Sequence, residues 1–206
     1  MKRNVGKIKR ENSISLIFSL IFLCLFIITL ISINLGFFQK TDEFVNSYFS
    51  TSFNAFLVNF YLIISFIFDP LSVIVICFIL STLLFFKKLK KEALFLMASS
   101  LLGGILIFVV KELVQRVRPE NLYEFGFSFP SGHATISIIL FCNLIYFSSR
   151  YTKKNYFYSI LAFSMVLLFL VDFSRIYIGV HWFSDIVGGI FLGLFTFLCT
   201  IYLFEN

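Results

Sequence analysis

The sequence predicts an all-α polytopic membrane protein, a bundle of six transmembrane helices with an interfacial amphipathic segment between spans one and two, forming a single domain over residues 1–206. Three observations predict it. Hydrophobic residues make up 59% of the chain and charged residues only 14%, too little polar surface to cover a soluble fold of this size. Apolar runs recur near residues 14–36, 70–86, 92–113, 132–148, 156–174 and 184–203, close to the roughly 20 residues a helix needs to cross the hydrocarbon core. Finally, Lys and Arg are concentrated in alternate connections, the charge asymmetry that orients membrane proteins.

The first run follows the basic stretch Met1 to Arg10. It is too long for a signal peptide and lacks a small-x-small cleavage site near Asn34 to Lys40, so it is expected to be the first span. Next comes Thr41 to Phe68, amphipathic and then apolar. It is expected to lie in the outer interface with Asp42, Glu43, Asn46 and Asn54 on its wetter side. Asp69 as N-cap and Pro70 as first helical residue then open the second span. The alternative is one long kinked span with unchanged topology. The 31 phenylalanines suit lipid-facing helix surfaces.

Of the 17 basic residues, 12 fall on one side: Lys2, Arg3, Lys7, Lys9 and Arg10 at the N-terminus, Lys87, Lys88, Lys90 and Lys91 after span two, and Arg150, Lys153 and Lys154 after span four. The positive-inside rule makes that side cytoplasmic, with both termini on it. The expected setting is a bacterial cytoplasmic membrane. Four of the other five (Lys111, Arg116, Arg118 and Arg175) cluster with both histidines in the loops after spans three and five, on the extracytoplasmic side.

Composition also excludes classes. The net charge of +6 reads as topology rather than nucleic-acid binding, because no soluble domain displays a basic patch. Cys24, Cys77, Cys142 and Cys199 stand singly in separate apolar runs, without the spacing of a zinc site or disulfide framework, and read as packing residues. No metal-ligand cluster appears, and no cofactor is called for. Gly189 and Gly193 form a G-x-x-x-G spacing that fits either a dimer seam or close packing inside the bundle.

Chemistry concentrates in three segments. In Lys111-Glu-Leu-Val-Gln-Arg-Val-Arg118-Pro119, seven residues make about two helical turns, which puts Lys111 and Arg118 on one face. Pro119 ends the helix near Arg118, leaving its guanidinium to grip phosphate oxygens or simply to snorkel. Pro130-Ser131-Gly132-His133 reads as a helix start whose free N–H groups suit an anion, with Ser131 as N-cap and Gly132 permitting close backbone approach. Ser174-Arg175 through His181 to Asp185 supplies another arginine, a histidine and a carboxylate one turn further on. A carboxylate beside an imidazole fixes its tautomer and stabilises its developing charge, which makes His181 the better nucleophile. His133 is left to protonate the leaving oxygen. Arg116, Glu120, Tyr123, Glu124 and Asp172 lie near these motifs and are candidates for tuning headgroup recognition, but read first as surface or packing residues, with an Asp172–Arg175 pair as the account of Asp172.

In order and spacing, these segments read Lys-x6-Arg-Pro, Pro-Ser-Gly-His and Ser-Arg-x5-His-x3-Asp. They resemble, at every position, the signature of the type 2 phosphatidic acid phosphatase superfamily, whose site is similar to that of vanadium haloperoxidases. The motifs occupy residues 111–185. The resemblance implies a metal-independent phosphohistidine mechanism. His181 attacks phosphorus, Asp185 supports it and His133 protonates the leaving group, while Lys111, Arg118, Ser131, Gly132 and Arg175 hold the phosphoryl oxygens. It implies a lipid phosphate substrate met among membrane lipids: undecaprenyl pyrophosphate first, then phosphatidylglycerol phosphate or phosphatidic acid. A transporter or scaffold that keeps the motifs as relics, or a phosphotransferase with an acceptor other than water, are the alternatives.

Overall fold

Long apolar stretches broken by capping residues dictate the helices, since lipid offers no partner for an exposed backbone. In a computed structural model the chain is described over residues 5–51, 54–120 and 123–205; Lys2 and Arg3, counted above among the basic residues, fall outside these. The elements are α1 (Val5–Asn34), α2 (Gln39–Thr51), α3 (Ala55–Ile67), α4 (Pro70–Phe86), α5 (Lys90–Val114), α6 (Gly132–Tyr151), α7 (Lys154–Tyr177) and α8 (Phe183–Glu205). Among the described residues six stretches are long and apolar enough to cross a membrane, the second running from Ala55 to Phe86 through both α3 and α4. The chain is an integral membrane protein built as a six-span bundle.

The segment between spans one and two divides where the sequence expectation did not. α2 carries the amphipathic pattern, but α3 is apolar, and its Phe56, Ile63, Phe66 and Ile67 are exposed. Asn54 caps α3 by accepting from the N–H groups of Phe56 and Leu57 at 3.0 and 3.2 Å. Asp69 caps α4, its Oδ2 accepting from Ser72 N at 3.1 Å, with Pro70 as first helical residue as expected. Two capped helices therefore meet at Asp69-Pro70, and only α2 has the two-faced composition of an interfacial helix. Asp42 departs further from expectation: it is 2% exposed, turned inward from α2 rather than to water.

α8 packs against α1 and α6, α6 against α7, and α4 against α5. The core gathers Phe26, Val73, Cys77, Leu96, Ile107, Phe129, Ile136, Ile139 and Leu192. The G-x-x-x-G spacing lies inside this bundle. A Cβ at Gly189 would stand 2.8 Å from Ser131 O, and one at Gly193 2.8 Å from Thr135 O, so the two glycines let the α8 and α6 backbones touch. Buried hydroxyls return to their own helices, as in Thr196 to Leu192 O and Thr200 to Thr196 O, which satisfies them without water. Asn143 crosses between helices, donating to Ser99 Oγ at 2.9 Å and so joining α6 to α5. An aromatic cluster seats α2 and α3 on α7, with Phe49–Phe173 centroids 5.3 Å and Tyr61–Tyr177 centroids 4.9 Å apart.

Replacing Gly193 with Val should force α6 and α8 apart and destabilise the protein by about 1–3 kcal/mol, the usual cost of overpacking. A lowered thermal unfolding midpoint in detergent is the expected result; an unchanged midpoint would contradict this packing.

Candidate active site

At one end of the bundle α5 and α7 finish, α6 and α8 begin, and α3 meets α4. All three motifs converge there. The basic connections Lys87–Lys91 and Arg150–Lys154 lie at the opposite end, where Arg150 pairs with Glu205 at 2.8 Å.

α5 ends earlier than Pro119 alone implied. Gln115, in the left-handed region at φ 49°, donates to Lys111 O and closes the helix at Val114. Arg118 therefore does not share a helical face with Lys111. The chain from 115 to 118 is instead held from outside: Arg116 O accepts from Ser128 N at 2.8 Å and Val117 O from Trp182 Nε1 at 2.9 Å. Tertiary bonds, not helical periodicity, bring Arg118 beside the other cations.

His181, 3% exposed, stands just before α8. Its Nδ1 is 3.3 Å from Asp185 Oδ2, the spacing the sequence anticipated. Its Nε2 is 3.1 Å from Arg118 NH1. A guanidinium can only donate, so Nε2 is the acceptor and Nδ1 carries the proton given to Asp185. The Nε2 lone pair is thus aimed at a cationic pocket. Burial first, then the charges of Arg175, Arg118 and Lys111, push the His181 imidazole well below its ordinary value and keep it neutral.

Arg175, 1% exposed, gives one terminal nitrogen to Ser65 Oγ and the other to Glu124, while its Nε has no hydrogen-bond partner among the described residues. Glu124 also reaches Arg118 NH1 at 2.9 Å. Its carboxylate bridges two guanidinium groups, the arrangement a phosphate would adopt. Lys111 completes the cluster, donating to Phe127 O. Arg175 and Asp172 do not form the expected pair: Asp172 faces the lipid-side groove of Phe49, Phe173 and Ile186, and its Oδ1 has no partner among the described residues.

Ser131 is the N-cap of α6, accepting from Ala134 N at 3.4 Å, and its own N–H donates to Asp185 O at 3.1 Å. Gly132 packs against α4, where a Cβ would lie 3.2 Å from Pro70 Cγ. His133 Nε2 lies 3.0 Å from Ser65 O and 3.3 Å from Ser65 Oγ; the carbonyl can only accept, so in this arrangement Nε2 bears the proton. Beside His133 opens a cavity of about 370 Å³ lined by Leu62, Ser65, Phe66, Asp69, Tyr123 and Glu124, among others.

Two residues that the sequence reading did not assign to the site support it. Arg116 NH1 donates to Asp185 Oδ1 at 2.6 Å, and its NH2 to Asp42 Oδ2 at 2.7 Å. Asp42 also accepts from Ser184 N at 2.9 Å and Ser184 Oγ at 2.6 Å, at the start of α8. The relay runs from α2 through Asp42, Arg116 and Asp185 to His181. The available signal was slight: Arg116 is a basic residue on the side with few of them, and Asp42 lies in an amphipathic segment. Ser65 had no signal, being a serine in an apolar run.

A family model for the PAP2 superfamily matches residues 92–206. The chain is 37% identical over 97 residues to phosphatidylglycerophosphatase B of Bacillus subtilis, covering 43% of this chain and 46% of that protein. It is 34% identical over 145 residues to the lipid A 4'-phosphatase of Porphyromonas gingivalis, covering 60% and 58%. The chain thus spans about half the length of these curated relatives. The fold superposes on the crystal structure of a transmembrane PAP2 type phosphatidylglycerolphosphate phosphatase from Bacillus subtilis with a TM-score of 0.71 and 27% identity, covering 88% of this chain and 93% of the other. The matched region encloses every candidate residue from Lys111 to Asp185, and the chain belongs to the PAP2 superfamily.

Proposed function

We propose that this protein hydrolyses a lipid phosphate at the outer face of a membrane through a phosphohistidine intermediate. The observation that carries the reading is the orientation of His181, with Nδ1 on Asp185 and Nε2 turned to an arginine pocket bridged by a carboxylate. The outer placement is supported by the site lying opposite the basic loops. The relatives named above are lipid phosphatases.

In the proposed reaction the phosphate displaces Glu124 from Arg118 and Arg175. His181 Nε2 attacks phosphorus, an N–P bond forms, and the bond to the lipid oxygen breaks on the opposite side. His133, which takes up a second proton once the anionic phosphate stands beside it, gives a proton to that oxygen, and the lipid alcohol, or a lipid phosphate from a diphosphate substrate, departs. Water, deprotonated by the now neutral His133, cleaves the N–P bond, releasing phosphate and restoring both histidines. Lys111, Arg118 and Arg175, with the start of α6 at Ser131 and Gly132, hold the phosphoryl oxygens, a task that elsewhere falls to a metal ion. Asp185, held by Arg116, steadies the imidazolium character His181 acquires. A silent transporter or scaffold gains no support from a site in which every signature residue converges.

Phosphate release from undecaprenyl pyrophosphate, phosphatidylglycerol phosphate and phosphatidic acid, in detergent with a chelator present, should occur with wild type and vanish with His181→Ala. Release by a folded His181→Ala protein, or release that the chelator abolishes, would sink the mechanism. Adding competing alcohols and analysing products separates hydrolysis from transfer.

The depressed imidazole carries its own consequence. A nucleophile that resists protonation keeps its lone pair below pH 6.5, so the acid limb of kcat/KM, corrected for substrate ionisation, should lie below that value. A limb at or above pH 6.5 assigned to His181 contradicts the assigned electrostatics.

Asp42→Asn and Arg116→Ala should each lower kcat by about tenfold or more with little change in KM, because they loosen the support of Asp185 without touching substrate. Arg116→Lys should recover only part of the loss, since a point charge cannot bridge two carboxylates as a planar fork does. Loss expressed mainly in KM would refute this positioning role.

A further inference from the structure

The two sides of the reaction centre differ in charge. Lys111, Arg118 and Arg175 surround the place assigned to the transferred phosphoryl group. The cavity beside His133, where an in-line displacement sends the leaving group, has no Lys or Arg among its lining residues. Its ionisable members besides His133 and Tyr123 are Asp69 and Glu124. Glu124 bridges the two arginines here, and a bound phosphate takes its place on them.

Asp69 is fixed in position. As N-cap of α4 it receives Ser72 N on Oδ2, which leaves Oδ1 as an acceptor, and Ser72 itself lines the same cavity. Ser65 Oγ is already engaged by Arg175 and His133. The groups offered to a leaving group are therefore a carboxylate oxygen, a serine hydroxyl and the side chain of Tyr123, with Leu62 and Phe66 beside them for hydrocarbon. A lipid diphosphate would put its second, anionic phosphate here, against Asp69, with no Lys or Arg in the lining and with Arg175, which reaches Ser65, assigned to the transferred phosphoryl group. A leaving alcohol that carries a free hydroxyl, and any further charge several bonds from the cleaved oxygen, would instead donate to Asp69.

We infer that this site selects phosphate monoesters of hydroxyl-bearing lipid alcohols, of glycerol or sugar type, over lipid diphosphates, and that Asp69 is the specificity-determining residue. The inference rests on the lipid-phosphatase reading above. It reverses the order that the family resemblance alone implies, which places undecaprenyl pyrophosphate first. Like-charge juxtaposition and an acceptor without its donor are both ways of rejecting the wrong substrate.

The test compares kcat/KM of the full-length protein in detergent on phosphatidylglycerol phosphate, lipid A 4'-phosphate, phosphatidic acid and undecaprenyl pyrophosphate. Wild type should favour at least one of the first two over the diphosphate by about tenfold or more, and the better of the two identifies glycerol or sugar as the alcohol. Phosphatidic acid, whose leaving alcohol has no second hydroxyl, should fall below it. Asp69→Asn keeps the helix cap but removes the charge, and should shrink the preference through a gain on the diphosphate. Asp69→Lys should shrink it further. Equal or faster cleavage of the diphosphate by wild type, or a preference that neither variant moves, overturns the inference while leaving the phosphatase reading intact. Equal rates on phosphatidic acid and the hydroxyl-bearing lipids remove hydroxyl recognition and overturn it likewise. No release from any of the four lipids by folded wild type overturns the phosphatase reading and the inference together.

Discussion

Charges drawn out of water at a membrane surface must be answered by opposite charge or by hydrogen bonds, and that requirement organises this end of the molecule. Arg116 and Arg175 are the clearest cases. Arg116 bridges Asp42 and Asp185, so one guanidinium joins α2, the connection after α5 and the first turn of α8. Arg175, almost wholly buried, draws Ser65 from α3 and Glu124 from the 115–131 connection. Elements far apart in the chain are thereby joined at this end by ion pairs, in addition to the aromatic contacts of α2 and α3 with α7. The same pairs aim His181, so the stability of the local structure and the orientation of this imidazole come from one set of interactions.

Packing deeper in the bundle sets the stage for that network. Because Gly189 and Gly193 allow α6 and α8 to run in backbone contact, the starts of both helices lie side by side. Ser131 N can then donate to Asp185 O, placing the helix start that follows Ser131 next to the carboxylate that steadies His181. Phe129, fully buried, fills the space over Gly188 and stacks on Phe26 with centroids 5.6 Å apart, tying the approach to the site into α1 and α8. A seam of small residues thus acts on the site through position alone.

The candidate site is not uniformly basic. Arg118 stands against His181, carboxylates and hydroxyls line the cavity beside His133, apolar residues of α3 flank that cavity, and Arg175 reaches Ser65 and Glu124 at its edge. Such an arrangement suits a substrate whose phosphate sits at headgroup height while its chains stay in lipid. The two curated relatives are named for different lipid phosphates. Of the residues lining the cavity beside His133, only His133 itself belongs to the sequence motifs.

The spans were legible in the sequence because lipid imposes a strict length of apolar helix, and the caps at Asp69, Pro70 and Ser131 because capping is local chemistry. His133, Arg175, His181 and Asp185 were legible through spaced motifs, and the His181–Asp185 contact survived even though α8 starts two residues after His181. What the tertiary structure decided lies in contacts between distant segments. The early end of α5 at Val114, the inward turn of Asp42, the Arg116 relay, the choice of Glu124 rather than Asp172 as partner of Arg175, and the arrival of Ser65 at the site each depend on residues more than 50 positions apart or on loops without periodicity. No local propensity selects among the carboxylates a buried arginine can reach; only the three-dimensional arrangement of the helices does.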